Sequence, residues 1–134
     1  MEKIETGWVD IIIPFYNSSK YILETLDSIE NQTYDKIKII CVDNNSMDNS
    51  VQVVKLFAKK SRFEVVLTSE EKPNASAARN TGYSISKGEF VSFLDSDDKI
   101  SIDKIAKQVQ YLVENPKLDC VISDRVIYNE DFSE

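Results

Sequence analysis

Histidine is absent from the 134-residue chain. That absence excludes serine–histidine and cysteine–histidine catalysis and any histidine-ligated metal. Cysteine occurs only at Cys41 and Cys120, too few for a disulfide scaffold or a four-cysteine zinc site. Glycine is confined to Gly7, Gly82 and Gly88. No GxGxxG or GxxxxGK loop can be built on that spacing, so the ordinary Rossmann and P-loop phosphate cradles are missing. No apolar run is long enough to span a bilayer. The start, Met1-Glu2-Lys3-Ile4-Glu5-Thr6-Gly7-Trp8, is too polar for a secretory segment. Basic residues are in deficit: 16 Lys and Arg against 23 Asp and Glu give a formal charge of -7. Phosphate backbones are held by clustered Lys and Arg, so a nucleic-acid partner is not expected. A cytoplasmic soluble protein with free, buried thiols is the expectation.

What remains is an alternation of apolar runs and helical patterns, in a length that suits one domain with a sizeable core. Strands are predicted at Val9–Ile13, Ile37–Val42, Phe63–Leu67, Phe90–Leu94 and Cys120–Ser123. The first helix is expected to be capped by Ser18 or Ser19 and to bury Ile22, Leu26 and Ile29. The second is expected to start at Ser46 or Asp48 and to bury Val51, Val54, Phe57 and Ala58. A third, Ala75–Ser86, is rich in small residues and should pack close to the sheet. The fourth begins at Ser101 or Asp103, uses Ile105, Val109 and Leu112, and stops at Asn115-Pro116. Repeated βα units imply an α/β fold, a mostly parallel sheet with helices on both faces and right-handed crossovers. Residues 1–8 read as a tail and 9–124 as the domain. Cys41 and Cys120 fall inside strand patterns and are expected in the core.

In open α/β sheets ligands bind beyond the carboxyl ends of the strands. Four polar segments follow predicted strands: Pro14-Phe15-Tyr16-Asn17, Asp43-Asn44-Asn45-Ser46, Thr68-Ser69-Glu70 and Asp95-Ser96-Asp97-Asp98. The last places three carboxylates within four residues, where they repel unless a cation neutralises them. Hard oxygen ligands favour magnesium or manganese. The same residues could instead form a turn that caps the next helix. Asn44 carries a donor and an acceptor that suit a pyrimidine edge, or an Asx turn, or both. Arg79 sits among small neighbours, Ala77-Ala78-Arg79-Asn80-Thr81-Gly82. It could reach a diphosphate or a base, or pair with a surface acid. Tyr16 could stack on a nucleobase; as a lone aromatic it is expected to pack at the strand end.

Taken in order, Val9-Asp10-Ile11-Ile12-Ile13-Pro14-Phe15-Tyr16-Asn17, Val42-Asp43-Asn44-Asn45-Ser46-Met47-Asp48-Asn49-Ser50, Ala75-Ser76-Ala77-Ala78-Arg79-Asn80-Thr81-Gly82 and Gly88-Glu89-Phe90-Val91-Ser92-Phe93-Leu94-Asp95-Ser96-Asp97-Asp98 resemble the nucleotide-sugar-binding half of a family 2 glycosyltransferase with the Rossmann-like GT-A fold. The resemblance runs from Val9 to about Asp124. It implies a sugar donor carried on a nucleoside diphosphate, commonly uridine or thymidine diphosphate. Pro14, Tyr16 and Asn17 would lie against the nucleoside, Asp43 and Asn44 at the base, and Arg79 on the nucleotide. The family often has two aspartates where this chain has Asp43-Asn44, and Met47 replaces a small hydroxyl residue. Asp95, Ser96 and Asp97 match the DxD motif, with Asp98 next. Asp97 would contact ribose or metal, and Asp97 or Asp98 would hold Mn2+ or Mg2+ through the diphosphate.

The base that deprotonates an acceptor hydroxyl comes from later in the family's domain. None of Asp124, Glu130 and Asp131 matches its motif, so the catalytic residue is unassigned. Residues 125–134 read as the start of an absent acceptor-binding half. The implied partners are an acceptor glycan or lipid-linked sugar and, through an exposed apolar face, a second copy of the chain. Membrane contact would come only through absent regions. The implied location is the cytoplasm, with the inner face of the membrane as an option, and the implied role is cell-envelope polysaccharide synthesis. Two other readings compete. One is a noncatalytic module with the same fold, used for binding or self-association. The other is a phosphoacceptor receiver domain, which would need an acidic pair after the first strand where this chain has Pro14-Phe15-Tyr16-Asn17.

Overall fold

The computed structural model describes residues 5–127. The chain runs β1 (Glu5–Phe15), α1 (Ile22–Glu30), β2 (Ile37–Asp43), α2 (Ser50–Lys60), β3 (Glu64–Ser69), α3 (Ala75–Ile85), β4 (Gly88–Phe93) and α4 (Lys104–Glu114). The strands form one parallel sheet in the order β3-β2-β1-β4. The two-residue side-chain period of a strand then divides the core between the faces. Val9, Ile11, Ile13 and Phe15 join Ile37, Ile39 and Cys41 on one face, against Ile22, Leu26 and Ile29 of α1, Val54 and Phe57 of α2, and Ile105 of α4. Ile12, Ile40 and Val42 point the other way and meet Ala78 of α3. Burial on both faces is why β1 and β2 read as almost continuous apolar runs.

Small residues let α3 lie close to the sheet. A Cβ on Gly82 would come within 2.5 Å of Ile12 Cγ2 and 3.2 Å of Val42 Cγ2. The helix is opened by Asn74, whose side chain accepts from Ala77 N at 2.7 Å.

Several expectations are corrected. Residues 5–8, read as a tail, belong to β1: Glu5 pairs with Gly88, and the register shifts between Glu5 and Val9. Gly7 makes the shift possible, with φ 77 in the left-handed region. Its N–H donates to Glu89 Oε2 at 2.6 Å and its carbonyl accepts from the Tyr34 hydroxyl. Residues 1–4 of the expected tail lie outside the described residues. The fifth strand does not form. Cys120 to Ser123 joins no ladder, and Gln108 Nε2 of α4 donates to Ser123 Oγ at 2.7 Å. Cys120 is accordingly exposed, whereas Cys41 is buried. Of the segment read as the start of an acceptor half, 125–127 are irregular and 128–134, with Glu130 and Asp131, lie outside the described residues.

Neither Ser18 nor Ser19 caps α1 with its side chain, since both are drawn toward neighbouring loops described below. Asp10, the polar interruption of β1, is fully buried. Its Oδ2 accepts from Lys87 N at 2.7 Å and Gly88 N at 3.0 Å, fastening the turn between α3 and β4. No helix among the described residues is long and apolar enough to cross a membrane.

Candidate functional site

From β1 the sheet grows through β2 to β3, and the chain then returns to the far side of β1 for β4. The loops leaving β1 and β4 lead to α1 and α4 on one face while α3 covers the other, and a crevice lies between these layers at the carboxyl edge of the sheet. A cleft of about 390 Å3 sits there, lined by Pro14, Phe15, Tyr16, Asn17, Ser18, Tyr21, Asn44, Ala75, Arg79, Asp95, Ser96 and Asp97. Every nucleotide-site residue expected from the sequence is on this wall except Asp43. Asp43 turns its Oδ1 to Ser46 N at 3.1 Å and shapes the β2–α2 loop. Thr68, Ser69 and Glu70 do not line the cleft either; Glu70 Oε1 accepts from Thr81 Oγ1 at 3.1 Å. Tyr16 does not pack at the strand end as expected. It is 61% exposed, with its ring offered at the cleft.

The floor of the cleft is held by bonds between two loops. Asn17 N donates to Ser46 Oγ at 3.0 Å, and Met47 N donates to Asn17 Oδ1 at 2.8 Å. Ser18 N donates to Ser50 Oγ at 2.8 Å and Ser19 N to Asp48 Oδ2 at 3.1 Å. Asn17 and Asn45 adopt left-handed backbone, φ 44 and 70, which asparagine tolerates better than most residues. Asp48 also accepts from Ser50 N at 3.0 Å and from the Ser50 hydroxyl. These bonds, the Ser50 hydroxyl first, hold its carboxyl down at about 2.

Asn44 is 8% exposed. Its Nδ2 donates to the carbonyls of Glu70, at 2.9 Å, and Lys72, at 2.8 Å. Both amide hydrogens therefore pin the β3–α3 loop, and the side chain keeps only Oδ1 for a ligand. That corrects the expectation of a donor and an acceptor both facing a base. Arg79 fills both roles weighed for it: it lines the cleft, and its Nη2 lies 3.1 Å from Asp95 Oδ1.

After β4 the chain turns back on itself, with Asp98 N donating to the Asp95 carbonyl at 3.2 Å. The turn brings carboxylate oxygens of Asp95, Asp97 and Asp98 within 4.8 Å of one another. Partial burial, and then the charges of Asp97 and Asp95, raise the Asp98 pKa.

A sequence profile described as Glycosyl transferase family 2 matches residues 10–134. The chain belongs to glycosyltransferase family 2. It is 36% identical over 122 residues to glycosyltransferase GlyG of Streptococcus pneumoniae serotype 4, covering 91% of this chain and 40% of that protein. Residues 1–349 of S. aureus TarS, solved in complex with UDP, superimpose with a TM-score of 0.74 and 31% identity, covering 80% of this chain and 32% of that one. The mannosyltransferase PcManGT from Pyrobaculum calidifontis, solved with GDP-Man and Mn2+, gives 0.71 and 32%, covering 78% of this chain and 32% of that one. The fold is thus the Rossmann-like half of a GT-A transferase, and this chain spans less than half the length of these relatives.

For a family 2 transferase, the donor set of the Asp95–Asp98 turn fits a hard divalent cation. It offers three carboxylates, no nitrogen or sulfur, and a mutual repulsion that a cation would relieve. Sequence reasoning missed the hydroxyls that hold this turn. Ser18 Oγ lies 2.7 Å from Ser96 Oγ, and Thr25 Oγ1 donates to the Ser96 carbonyl at 3.0 Å. The signal was present as Ser18 and Thr25 beside the apolar stripe of α1, but hydroxyls there read equally well as ordinary helix surface.

Proposed function

We propose that this family 2 domain binds a nucleoside-diphosphate sugar with Mn2+ or Mg2+ and presents the sugar for transfer to an acceptor hydroxyl. The observation that carries the reading is convergence: Tyr16, Asn44, Arg79, Asp95 and Asp97 reach one cleft from four separate segments. The exposed Tyr16 ring suits the face of a base or ribose. With both donors engaged, Asn44 Oδ1 suits the N3–H of uracil or thymine, which favours a UDP- or dTDP-sugar. Arg79, held by Asp95, lies where its guanidinium can meet phosphate oxygens. Asp95, Asp97 and Asp98 would hold the divalent cation, which when bound supplies charge neutralisation for the departing diphosphate. Ser96 orients the acidic turn through its bonds to Ser18 and Thr25. The domain's own contribution is to fix the donor so that its anomeric carbon faces the acceptor.

The acceptor we propose is a glycan or lipid-linked sugar, in keeping with the resemblance. Calorimetric titration of UDP and dTDP, with and without Mn2+, tests the reading. Mn2+-dependent binding is expected, and Asp97→Ala should abolish the dependence on Mn2+. A folded protein that binds neither nucleotide would refute the donor site and leave the noncatalytic module as the better reading. An unchanged Asp97→Ala titration would refute the metal assignment.

A further inference from the structure

The segment that carries the acids has little to hold it in place by itself. Between β4 and α4 lie Leu94 to Asp103, with no helix or strand among them. The Asp103 side chain provides no capping bond to α4 and pairs instead with Lys107 Nζ at 2.6 Å.

Beside the Ser18–Ser96 bond and the backbone bonds of Leu94 N to the Ile12 carbonyl and Thr33 N to the Ile102 carbonyl, a row of three polar side chains, on α1 and just past its end, holds the segment. Thr25 is 1% and Gln32 3% exposed. Thr25 Oγ1 donates to the Ser96 carbonyl at 3.0 Å. Ser28 Oγ accepts from Ile100 N at 3.2 Å. Gln32 uses both ends of its amide: Nε2 donates to the Ser101 carbonyl at 2.7 Å, and Oε1 accepts from Ile105 N at 3.2 Å. Ile105 N is one of the free amides of the first turn of α4, so Gln32 supplies from another element the cap that Asp103 does not give. The spacing 25, 28, 32 is i, i+3, i+7, one face of a helix running beside the apolar stripe Ile22, Leu26, Ile29. The stripe seats α1 on the sheet, and the neighbouring row uses that fixed position to set the acidic turn.

We propose that Thr25, Ser28 and Gln32 are positioning residues for the metal site. They fasten Ser96 to Ile105 onto α1 and thereby fix the spacing of the Asp95, Asp97 and Asp98 carboxylates before a cation arrives. The inference rests on reading those acids as the cation site. Thr25 acts at the decisive point, because its bond falls on Ser96, between Asp95 and Asp97. Preorganisation of this kind is felt in affinity: a turn that is competent only part of the time binds its ion more weakly in proportion.

The test pairs two substitutions at Thr25. Thr25→Val keeps the shape and removes the hydroxyl; Thr25→Ser keeps the hydroxyl and removes a buried methyl. Uptake of Mn2+ in the presence of UDP is followed by the electron paramagnetic resonance signal of free Mn2+, and stability by urea unfolding. Loss of one buried hydrogen bond predicts that Thr25→Val weakens Mn2+ binding roughly five- to tenfold. UDP binding without metal should be unaltered. Thr25→Ser should stay within about twofold of wild type in Mn2+ affinity, although its lost methyl lowers stability. Gln32→Met repeats the test from the far end of the row should Thr25→Val fail to fold, and it too should weaken Mn2+ uptake. Mn2+ affinities that follow stability, or a Thr25→Val protein that binds Mn2+ like wild type, would overturn the proposal.

Amide exchange separates the two layers of the reading. A wild-type protein that takes up no Mn2+ with UDP overturns the cation site. The strap then stands if exchange at Ser96–Asp98 quickens in Thr25→Val and not in Thr25→Ser, and falls if the two variants exchange alike.

Discussion

Gly82→Ala tests how the seat of one helix controls the cleft. In an ordinary helix this change is favourable by about 1 kcal/mol, because alanine loses less backbone freedom. Here the added Cβ would stand 2.5 Å from Ile12 Cγ2, 3.2 Å from Val42 Cγ2 and 3.4 Å from Ile12 Cγ1. Carbon atoms pack at about 3.5–4.0 Å, so α3 must retreat by about 1 Å or the strands must yield. The strands are poorly placed to yield. Ile12 and Val42 are completely buried, and the opposite face of the sheet is filled by Ile11, Ile13 and Cys41. Both are β-branched and stiff at χ1. Overpacking typically costs about 1–3 kcal/mol, and an overlap this deep falls at the upper end. After the helix-propensity gain, a net loss of about 2 kcal/mol remains. Urea unfolding should show a lower midpoint with an unchanged slope. The retreat would also draw Arg79, one turn earlier on α3, away from Asp95, now 3.1 Å away. Nucleotide affinity should therefore fall along with stability. Ser84→Ala on the exposed face of the same helix is the control and should cost nothing. A Gly82→Ala protein as stable as wild type, with unchanged UDP binding, would refute the close seating of α3.

Other perturbations address separate features. Asn44→Asp sets carboxylate oxygens against the Glu70 and Lys72 carbonyls in place of two donated bonds, so a loss of about 2 kcal/mol is expected; an unshifted melting temperature would contradict that geometry. Burial pushes the Cys41 thiol up to about 12, whereas Cys120 is exposed. Ellman's reagent should therefore modify Cys120 rapidly and Cys41 only on unfolding; equal reactivity of both in the native protein would count against the core placement of Cys41. Asp48 is held at about 2 against an ordinary 3.8, the Ser50 hydroxyl bond being the main cause. A depressed carboxyl contributes stability above its unfolded value, and here that contribution is lost as pH falls from about 4 toward 2. An NMR titration of the Asp48 side chain should show a midpoint near 2, and one near the ordinary value would contradict the bonding of Asp48 to Ser50.

The sequence alone determined four of the five strands read from it, the four helices and the edge where polar residues gather. Continuous β-branched runs fix β1 and β2 as strands buried on both faces, and the stripe Ile22, Leu26, Ile29 fixes one face of α1, because burial and period are local properties of the chain. The acidic turn was legible for the same reason, since Asp95, Asp97 and Asp98 are neighbours in sequence. The three-dimensional arrangement decided which polar atoms remain available. Asn44 looked like a reader with two hands, but Glu70 and Lys72, distant in sequence, occupy its donors. Ser18 looked like a helix cap, yet its hydroxyl serves Ser96, 78 residues away. Cys120 to Ser123 looked like a strand, but a strand exists only with a partner, and that segment pairs with none of the four strands. Apolar residues declare their fate through periodicity, because the hydrophobic effect has no direction. A hydrogen bond is directional and is spent on a single partner, so the role of each polar side chain was settled only when the folded chain brought that partner to it.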